Sequence, residues 1–168
     1  MKLLISLVAA VVLTGCVATE PIKAIKEEDR TFSAVYDVPG SQKSEIYEGT
    51  KQWIAQNFQS AKRVIEYDNP SEGILIGNGI IKYSCEGMEC LAKANWTFPF
   101  TMKVEVKDER FRLTFSNIHL AWPASPSGPA ANFPINQQQQ LDTAKPKLLA
   151  FGEQIKSALA SGKASSNW

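Results

Sequence analysis

The stretch WTFPFTMKVEV, residues 96–106, decides the fold of this chain. Apolar side chains occupy every even-numbered position of the stretch, and polar residues or Pro99 occupy the positions between them. A period of two residues is typical of a β-strand that buries one face and exposes the other. We therefore expect a half-buried antiparallel strand, and Pro99 favours an edge position or an irregular start for it.

The residues that follow extend this pattern into a hairpin. Asp108 and Glu109 form the expected tip, after which positions 111, 113 and 115 are apolar. The phase then slips at Ser116 and Asn117, so that positions 118, 120 and 122 carry the apolar side chains. Such a slip predicts a β-bulge or a strand that becomes covered on both faces.

The rest of the chain supplies further strands and two helices. Residues 31–38 alternate like a strand, whereas residues 41–61 repeat apolar side chains every three or four positions, as an amphipathic helix does. More strands are expected at 64–67 and 74–81, and a further helix is expected beyond Pro146. Between them lies a long proline-rich loop at 123–134, and loops of this length are often functional, so it is a candidate for binding a partner. The predicted order is strand, helix, four strands, helix, which makes an α+β domain with an antiparallel sheet whose helices cover one face.

The composition is that of a globular domain with almost no net charge. The chain has 168 residues, of which 44% are hydrophobic, and its 18 basic and 17 acidic side chains give a formal charge of +1. These values exclude a disordered chain and predict one sizeable domain. Because nothing in this balance attracts a polyanion, we expect no nucleic-acid partner.

The first sixteen residues indicate export. An apolar run of roughly ten residues follows Lys2, about half of the ~20 that a membrane-spanning helix needs. The segment Leu13-Thr14-Gly15-Cys16 resembles the lipobox of bacterial lipoproteins, which implies cleavage after Gly15 and acylation of Cys16. The alternative is an ordinary secretory signal that contains a cysteine. Several acyl chains on one cysteine would hold the protein to a membrane stably.

This interpretation divides the chain into a signal peptide (1–15), a lipidated tether (16–30), a single α+β domain (31–160) and a flexible tail (161–168). Removal of residues 1–15 would take away Lys2 alone among the charged residues, leaving 17 basic and 17 acidic side chains. In lipoproteins an aspartate after the acylated cysteine retains the protein in the inner membrane, and Val17 stands in that place here. The resemblance therefore implies an outer-membrane anchor with the domain facing the periplasm.

The two remaining cysteines, Cys85 and Cys90, are expected to form a disulfide. An exported chain lies in an oxidising compartment, and Gly87 allows the tight return between them. The alternatives are a metal site, for which His119 would be the only histidine ligand, and a redox pair, for which the spacing differs from C-x-x-C. We expect a structural disulfide and no bound metal.

No motif specifies a cofactor or a reaction. The lone histidine, His119, lies in a strand-like segment without a recognisable nucleophile motif beside it, which favours a solvent-facing or hydrogen-bonded side chain. The Gly77-Asn78-Gly79 segment lacks the further glycines and the helix of a nucleotide-binding loop, so it indicates a bend in a strand. We expect no cofactor.

Three segments of the chain resemble a family of bacterial lipoproteins that carry a domain of unknown function with a TATA-binding-protein-like fold. The resemblance runs from about Thr31 to Leu120, and it is strongest in residues 44–58, 61–67 and 72–79. It implies the fold but no catalytic residues, because the family has none established. The fold name itself implies no DNA binding, since function depends on the site and not on the fold.

Two hypotheses of function follow. The first is a non-catalytic, lipid-anchored envelope protein that binds an envelope protein or the cell wall through the uncovered sheet face or the proline-rich loop, with Lys103, Arg110, Arg112 and Trp122 as candidate binding residues. The second is an envelope hydrolase that uses carboxylates among Glu86, Glu89 and Asp108, which would have to lie about 5–10 Å apart.

Overall fold

The computed structural model describes residues 23–58, 65–126 and 128–165, with side chains to residue 162. These residues form seven strands and three α-helices, together with 3-10 turns at Glu27–Arg30 and Gly87–Glu89. The strands are β1 (Phe32–Asp37), β2 (Ile65–Asn69), β3 (Ile74–Lys82), β4 (Thr97–Lys107), β5 (Arg110–Ser116), β6 (His119–Trp122) and β7 (Ala131–Pro134). The helices are α1 (Lys43–Asn57), α2 (Cys90–Lys93) and α3 (Gln138–Ser165).

The strands form one antiparallel sheet. The order across it is β1-β5-β4-β3-β2, while β6 pairs with β4 and β7 pairs with β6. Val104 in the central strand faces Leu75 of β3 on one side and Leu113 of β5 on the other. The alternation that decided the fold is confirmed, because the even positions of β4 are all buried.

The hydrophobic core lies between one face of the sheet and the two long helices. The sheet contributes Phe98, Phe100, Phe111 and Phe115, all almost fully buried, and α1 packs Ile46 and Ile54 against this face. Helix α3 contacts both α1 and β1. Its Gly152 lies so close to the ring of Tyr36 that a Cβ atom there would be 1.9 Å from a ring carbon. A glycine is therefore required where α3 crosses β1.

The phase slip at Ser116 and Asn117 is a change of strand. Asn117 takes a positive φ of 49°, which an asparagine tolerates better than most residues. The chain leaves β5 here and re-enters the sheet as β6, which pairs with β4 at Thr97 and Ala121. Pro99 lies between the parts of β4 that pair with β5 and with β6, so a proline is accommodated in a central strand, and the expected edge position is wrong.

The predicted order of four strands between the helices is incomplete. Six strands follow α1, because the segment 110–122 contains both β5 and β6, and the expected loop 123–134 ends in β7. Phe133 of β7 pairs with Leu120 of β6, which turns four loop residues into an additional strand. The fold class itself, α+β with an antiparallel sheet, is confirmed.

Helix α3 is longer than the sequence pattern predicted. It begins at Gln138 rather than near Pro146, and Pro146 lies inside it. Leu141 and Ala144, five and two positions before the proline, are buried in the core, and this packing supports the first turns of the helix. At the other end α3 continues to Ser165, so residues 161–165 of the expected flexible tail are helical, and 166–168 lie outside the described residues.

Part of the expected tether packs on the domain. Ala24 forms a β-bridge with Gln137, and the backbone N–H of Ile25 donates to the carbonyl of Asn136 at 3.0 Å. The side chain of Ile25 is buried in the core. The sequence did not predict this burial, because an isolated apolar residue in a polar segment shows no periodic pattern. Residues from Lys23 onward thus pack with the domain, although its expected first residue was eight positions later.

The predicted signal peptide and the lipobox with Cys16 lie outside the described residues. So do residues 59–64, which the sequence pattern assigned to the end of the first helix and the start of the second strand. Within the part of the chain that the structure describes, none of the helices combines the length and the apolar character needed to cross a membrane.

Candidate functional site on the open face of the sheet

The second face of the sheet carries none of the described helices. It presents the odd positions of β4 together with the even positions of β3 and β5, in keeping with the pleat. Two apolar side chains on it are largely exposed, Val35 at 58% and Ile80 at 63%. We call this surface the open face, and its lining residues fall into a charged half near the β4–β5 hairpin and a polar half near β6.

The charged half is organised around Glu105. Its carboxylate lies 2.7 Å from a guanidinium nitrogen of Arg112 and 3.2 Å from the ammonium of Lys103. Burial raises the pKa of Glu105, but the hydrogen bonds from Arg112 and Lys103 outweigh it, and the net pKa lies below the usual range. Two of the predicted binding residues are thus neighbours on one face, although they are engaged with an acidic partner.

Arg110 completes the charged half. It pairs in register with Lys107 of β4 and with Asp37 of β1, and within the described residues neither cation lies within ion-pair distance of a carboxylate. These side chains border a depression of about 650 Å³ that also takes in Val35 and Ile74. Like charges directly opposite each other disfavour strand pairing, which marks this pair as costly to the fold.

The polar half contains a chain of hydrogen bonds that crosses four strands or their ends. Asn117 Nδ2 donates to Thr101 Oγ1 at 3.3 Å, and Thr101 Oγ1 donates to Asn78 Oδ1 at 2.8 Å. Asn78 Nδ2 in turn donates to Glu66 Oε1 at 2.5 Å. Because each group has a defined role as donor or acceptor, the orientation of every amide is fixed. We call these four residues the polar chain.

A second pair stands beside the polar chain. His119 Nδ1 lies 2.8 Å from Asn132 Oδ1, and because an amide oxygen only accepts, the ring donates at Nδ1. A depression of about 780 Å³ is lined by these two side chains and by Asn78, Thr101 and Asn117. Among the residues that the structure describes, Lys82 is the one charged member of its lining, and Ile80 and Pro99 supply apolar surface.

The fourth predicted binding residue, Trp122, lies away from the other three. Its indole stacks on Trp96 with ring centroids 4.6 Å apart, contacts the edge of Phe133, and donates a hydrogen bond to the carbonyl of Pro129. The side chain is partly buried among aromatic residues at the end of the sheet. The geometry therefore gives Trp122 a packing role and does not bring it to the cluster of Lys103, Arg110 and Arg112.

The expected disulfide is present, with Cys85 and Cys90 joined at an S–S distance of 2.09 Å. It closes the loop between β3 and β4, whose Met88 and Leu91 are among the most exposed large apolar side chains of the described residues. Tyr83 and Lys93 both contact Glu89, and the hydrogen bond from Lys93 lowers the pKa of this carboxyl. The loop is held in one conformation by covalent and ionic contacts.

The carboxylates of the hydrolase hypothesis do not meet as a set of three. Glu86 and Glu89 precede the start of β4, whereas Asp108 follows its end, and 11 residues of strand span about 35 Å. Asp108 instead accepts a hydrogen bond from the backbone of Lys43. Within the described residues, no three side chains among His, Cys, Asp and Glu are grouped so that they could hold a metal ion.

Sequence reasoning missed the polar half. Asn78 was interpreted through its glycine neighbours, Asn117 through the phase slip, and Asn132 through the proline-rich loop. Each lies at a position whose strand partner only the sheet register reveals, for instance Asn78 opposite Thr101. The sequence did show polar residues at the outward positions of the strands. This pattern could not identify the site, because any sheet with one solvent-exposed face has it.

The architecture defines the class of protein. One antiparallel sheet with two long helices on one face and the other face open is the TBP-like α+β fold. Within this class, the chain belongs to the DUF4468 family, a domain of unknown function with TBP-like fold, whose profile matches residues 32–121, just over half of the chain. The resemblance to a domain of unknown function with a TBP-like fold is thereby confirmed.

Two crystal structures are similar to this chain. A DUF4468 family protein from Bacteroides ovatus is 13% identical, with a TM-score of 0.51 over 78% of this chain and 84% of that one. A TBP-like protein from Parabacteroides distasonis is 11% identical, with a TM-score of 0.48 over 62% of this chain and 64% of that one, which is less than two thirds of its length. At such identities the likeness concerns the fold alone. No curated protein matches the chain.

Proposed function

We propose that this protein is a non-catalytic binding module of the cell envelope, held to a membrane by a lipid on Cys16 and binding its partner through the open face. The observation that carries the proposal is the open face itself, with two depressions of about 780 and 650 Å³ lined by polar and charged side chains. Such a surface, on a domain in which Glu89, Glu105 and Asp108 are engaged in structural contacts, suits recognition more than chemistry.

The anchor is supported by the lipobox and by the position of the ordered domain. Lys23 is already part of the fold, because its carbonyl accepts from the backbone of Gln138 at 2.9 Å. Seven residues lead from Cys16 to Lys23, and an extended chain of that length reaches at most about 25 Å. An acylated Cys16 would therefore hold the domain near the membrane, which is the outer membrane if Val17 acts as the resemblance implies.

The anchor is tested by mass spectrometry of the protein purified from membranes. We expect a chain that begins at Cys16 and carries the mass of three acyl chains, and we expect Cys16→Ser to leave the membrane fraction. An intact chain that starts at Met1, or an unmodified Cys16, would contradict the anchor while leaving the open face untouched.

The open face is tested by amine labelling in intact envelopes and in the purified protein. Lys103 on the open face and Lys156 on α3 are matched, with side chains 39% and 37% exposed. A partner on the open face should slow the labelling of Lys103 in the envelope and leave Lys156 unchanged. Equal labelling of both lysines in both preparations would contradict the proposal.

A further inference from the structure

We infer that the polar half of the open face is a binding site for a neutral carbohydrate. This inference rests on the proposed function and names the ligand class of that surface. Its basis is the juxtaposition of an oriented set of amide groups with a small apolar patch, in a depression to which the described residues contribute one charged side chain, that of Lys82.

The hydrogen-bonding groups are held in place before any ligand binds. The polar chain from Glu66 to Asn117 fixes two amides and a hydroxyl, and the contact with His119 fixes the amide of Asn132. On an exposed surface such ordering restricts side chains that would otherwise be free to rotate. A binding site gains from this restriction, because the ligand then does not have to order the groups itself.

Three hydrogen-bonding groups in the depression have no partner among the residues that the structure describes. They are Oδ1 of Asn117, which accepts, the Nδ2 amino group of Asn132, which donates, and Nε2 of His119. A sugar hydroxyl donates one hydrogen bond and accepts others, so a ligand with several hydroxyls can satisfy such a mixed set. A carboxylate or phosphate only accepts, so it would leave Oδ1 of Asn117 without a donor.

The apolar part of the depression suits the C–H face of a sugar ring. Ile80 of β3 lies opposite Pro99 of β4 in the register, and the Ile80 side chain is 63% exposed. These two side chains form a patch on the same face as the polar chain. Polar edges with an apolar centre match the amphipathic character of a pyranose, which carries hydroxyls around its rim.

The backbone conformation of Asn117 also supports a role for its side chain in binding. Its φ of 49° lies in the left-handed region, which is costly for any residue with a side chain. The residue both ends β5 and presents its amide to the depression. Glycine would fit this backbone better but would remove the acceptor, and asparagine combines the two requirements.

The test is a titration of the full-length protein with chitotriose and with maltotriose, in micelles whose detergent has no sugar headgroup. We expect one of the two trisaccharides to shift the NMR signals of the side-chain amides of Asn117 and Asn132. Asn132→Ala and Asn117→Gly should each weaken binding by about 3- to 10-fold, the effect of one lost hydrogen bond. Because glycine adopts the same backbone conformation readily, weaker binding by Asn117→Gly would report the loss of the side-chain amide.

The matched control is Arg110→Gln in the charged half, which should bind the sugar as the original protein does. The inference is overturned if neither trisaccharide shifts the two amides at about 10 mM, the range of very weak sugar binding, or if both asparagine variants bind unchanged. If sugar binding fails while Lys103 is still protected in envelopes, only the ligand class is wrong. If both fail, the proposed function is wrong as well.

Discussion

The carboxylate of Asp108 accepts a hydrogen bond from the backbone N–H of Lys43 at 2.8 Å, so the β4–β5 hairpin caps the first residue of α1. The neighbouring Glu109 accepts from the N–H of Gly40 at 3.0 Å. A negative charge at a helix N-terminus satisfies an otherwise unpaired donor and interacts favourably with the helix dipole. The hairpin tip, which the sequence marked only as a turn, is thus a structural contact between the sheet and the helix.

This contact predicts the effect of Asp108→Ala. We expect the free energy of unfolding to fall by about 1 kcal/mol, as for the loss of an N-terminal cap. Asp108→Asn, which keeps an acceptor at the same place, should lose less. Urea unfolding of the three proteins checks this, and an alanine variant as stable as the original would show that the cap is without effect.

The close approach of α3 to β1 predicts the outcome at Gly152. In Gly152→Ala the new methyl group would lie 1.9 Å from the Tyr36 ring, whose hydroxyl also donates to the carbonyl of Leu149 at 2.7 Å. Helix and strand must separate, and we expect a loss of about 2–3 kcal/mol from overpacking.

The control for this change lies on the same helix. At Gly162 an added methyl group meets no atom within 4 Å, so Gly162→Ala should leave stability unchanged or raise it by up to about 1 kcal/mol through helix propensity. Thermal unfolding of both variants makes the comparison. Similar losses at the two positions would refute the packing argument.

The ion pair of Asp68 predicts a pH dependence. Lys51 and Tyr47 both donate to its carboxylate, each at 2.5 Å, and these hydrogen bonds lower the pKa of Asp68 in the folded state. As the pH falls, Asp68 therefore takes up a proton in the unfolded chain at a higher pH than in the folded protein. The ion pair contributes its full stabilisation above the pKa of an unfolded aspartate, about 3.9, and this stabilisation is lost as the pH falls below that value. Stability should decline with acid between about pH 5 and 3.

Asp68→Asn removes this titration. We expect the variant to be less stable than the original protein at neutral pH, and the difference to shrink towards pH 3. Urea midpoints measured across this range provide the comparison, with Asp142→Asn on the exposed side of α3 as a control. A constant difference at every pH would mean that Asp68 contributes through packing and not through its charge.

The Cys85–Cys90 disulfide predicts a modest stabilisation. Because the cysteines are 5 positions apart, the closed loop is small, and its entropic contribution is about 2 kcal/mol. Reductant should lower the free energy of unfolding by up to this amount while hydrogen exchange in β4 and β5 stays slow. A reduced protein that unfolds as a whole would show that the loop is required for the fold.

Much of the fold could be predicted from the sequence because strand and helix periods leave a local trace. The even positions of β4 and the core face of α1 are such cases. The wetted odd positions of β4 and even positions of β5 were likewise predicted, and with them Lys103, Arg110 and Arg112.

The remainder depends on contacts between distant parts of the chain. Ile25 is buried because Asn136 supplies a backbone partner, and no local pattern announces such a pairing. The same holds for β7, which is a strand because β6 lies beside it. The polar half of the open face was the hardest part to predict, because Glu66, Thr101 and Asn132 come to the same surface only after three separate strand registers are set.

The pairing of β1 has a consequence for the time course of folding. Phe32 lies opposite Phe115, 83 positions later, so a chain delivered with its N-terminus first carries β1 unpaired until β5 has emerged. Pairing between such distant segments requires the closure of a long loop and slows folding. The first strand to appear is therefore among the last to be secured, and during that interval its edge is open to other chains.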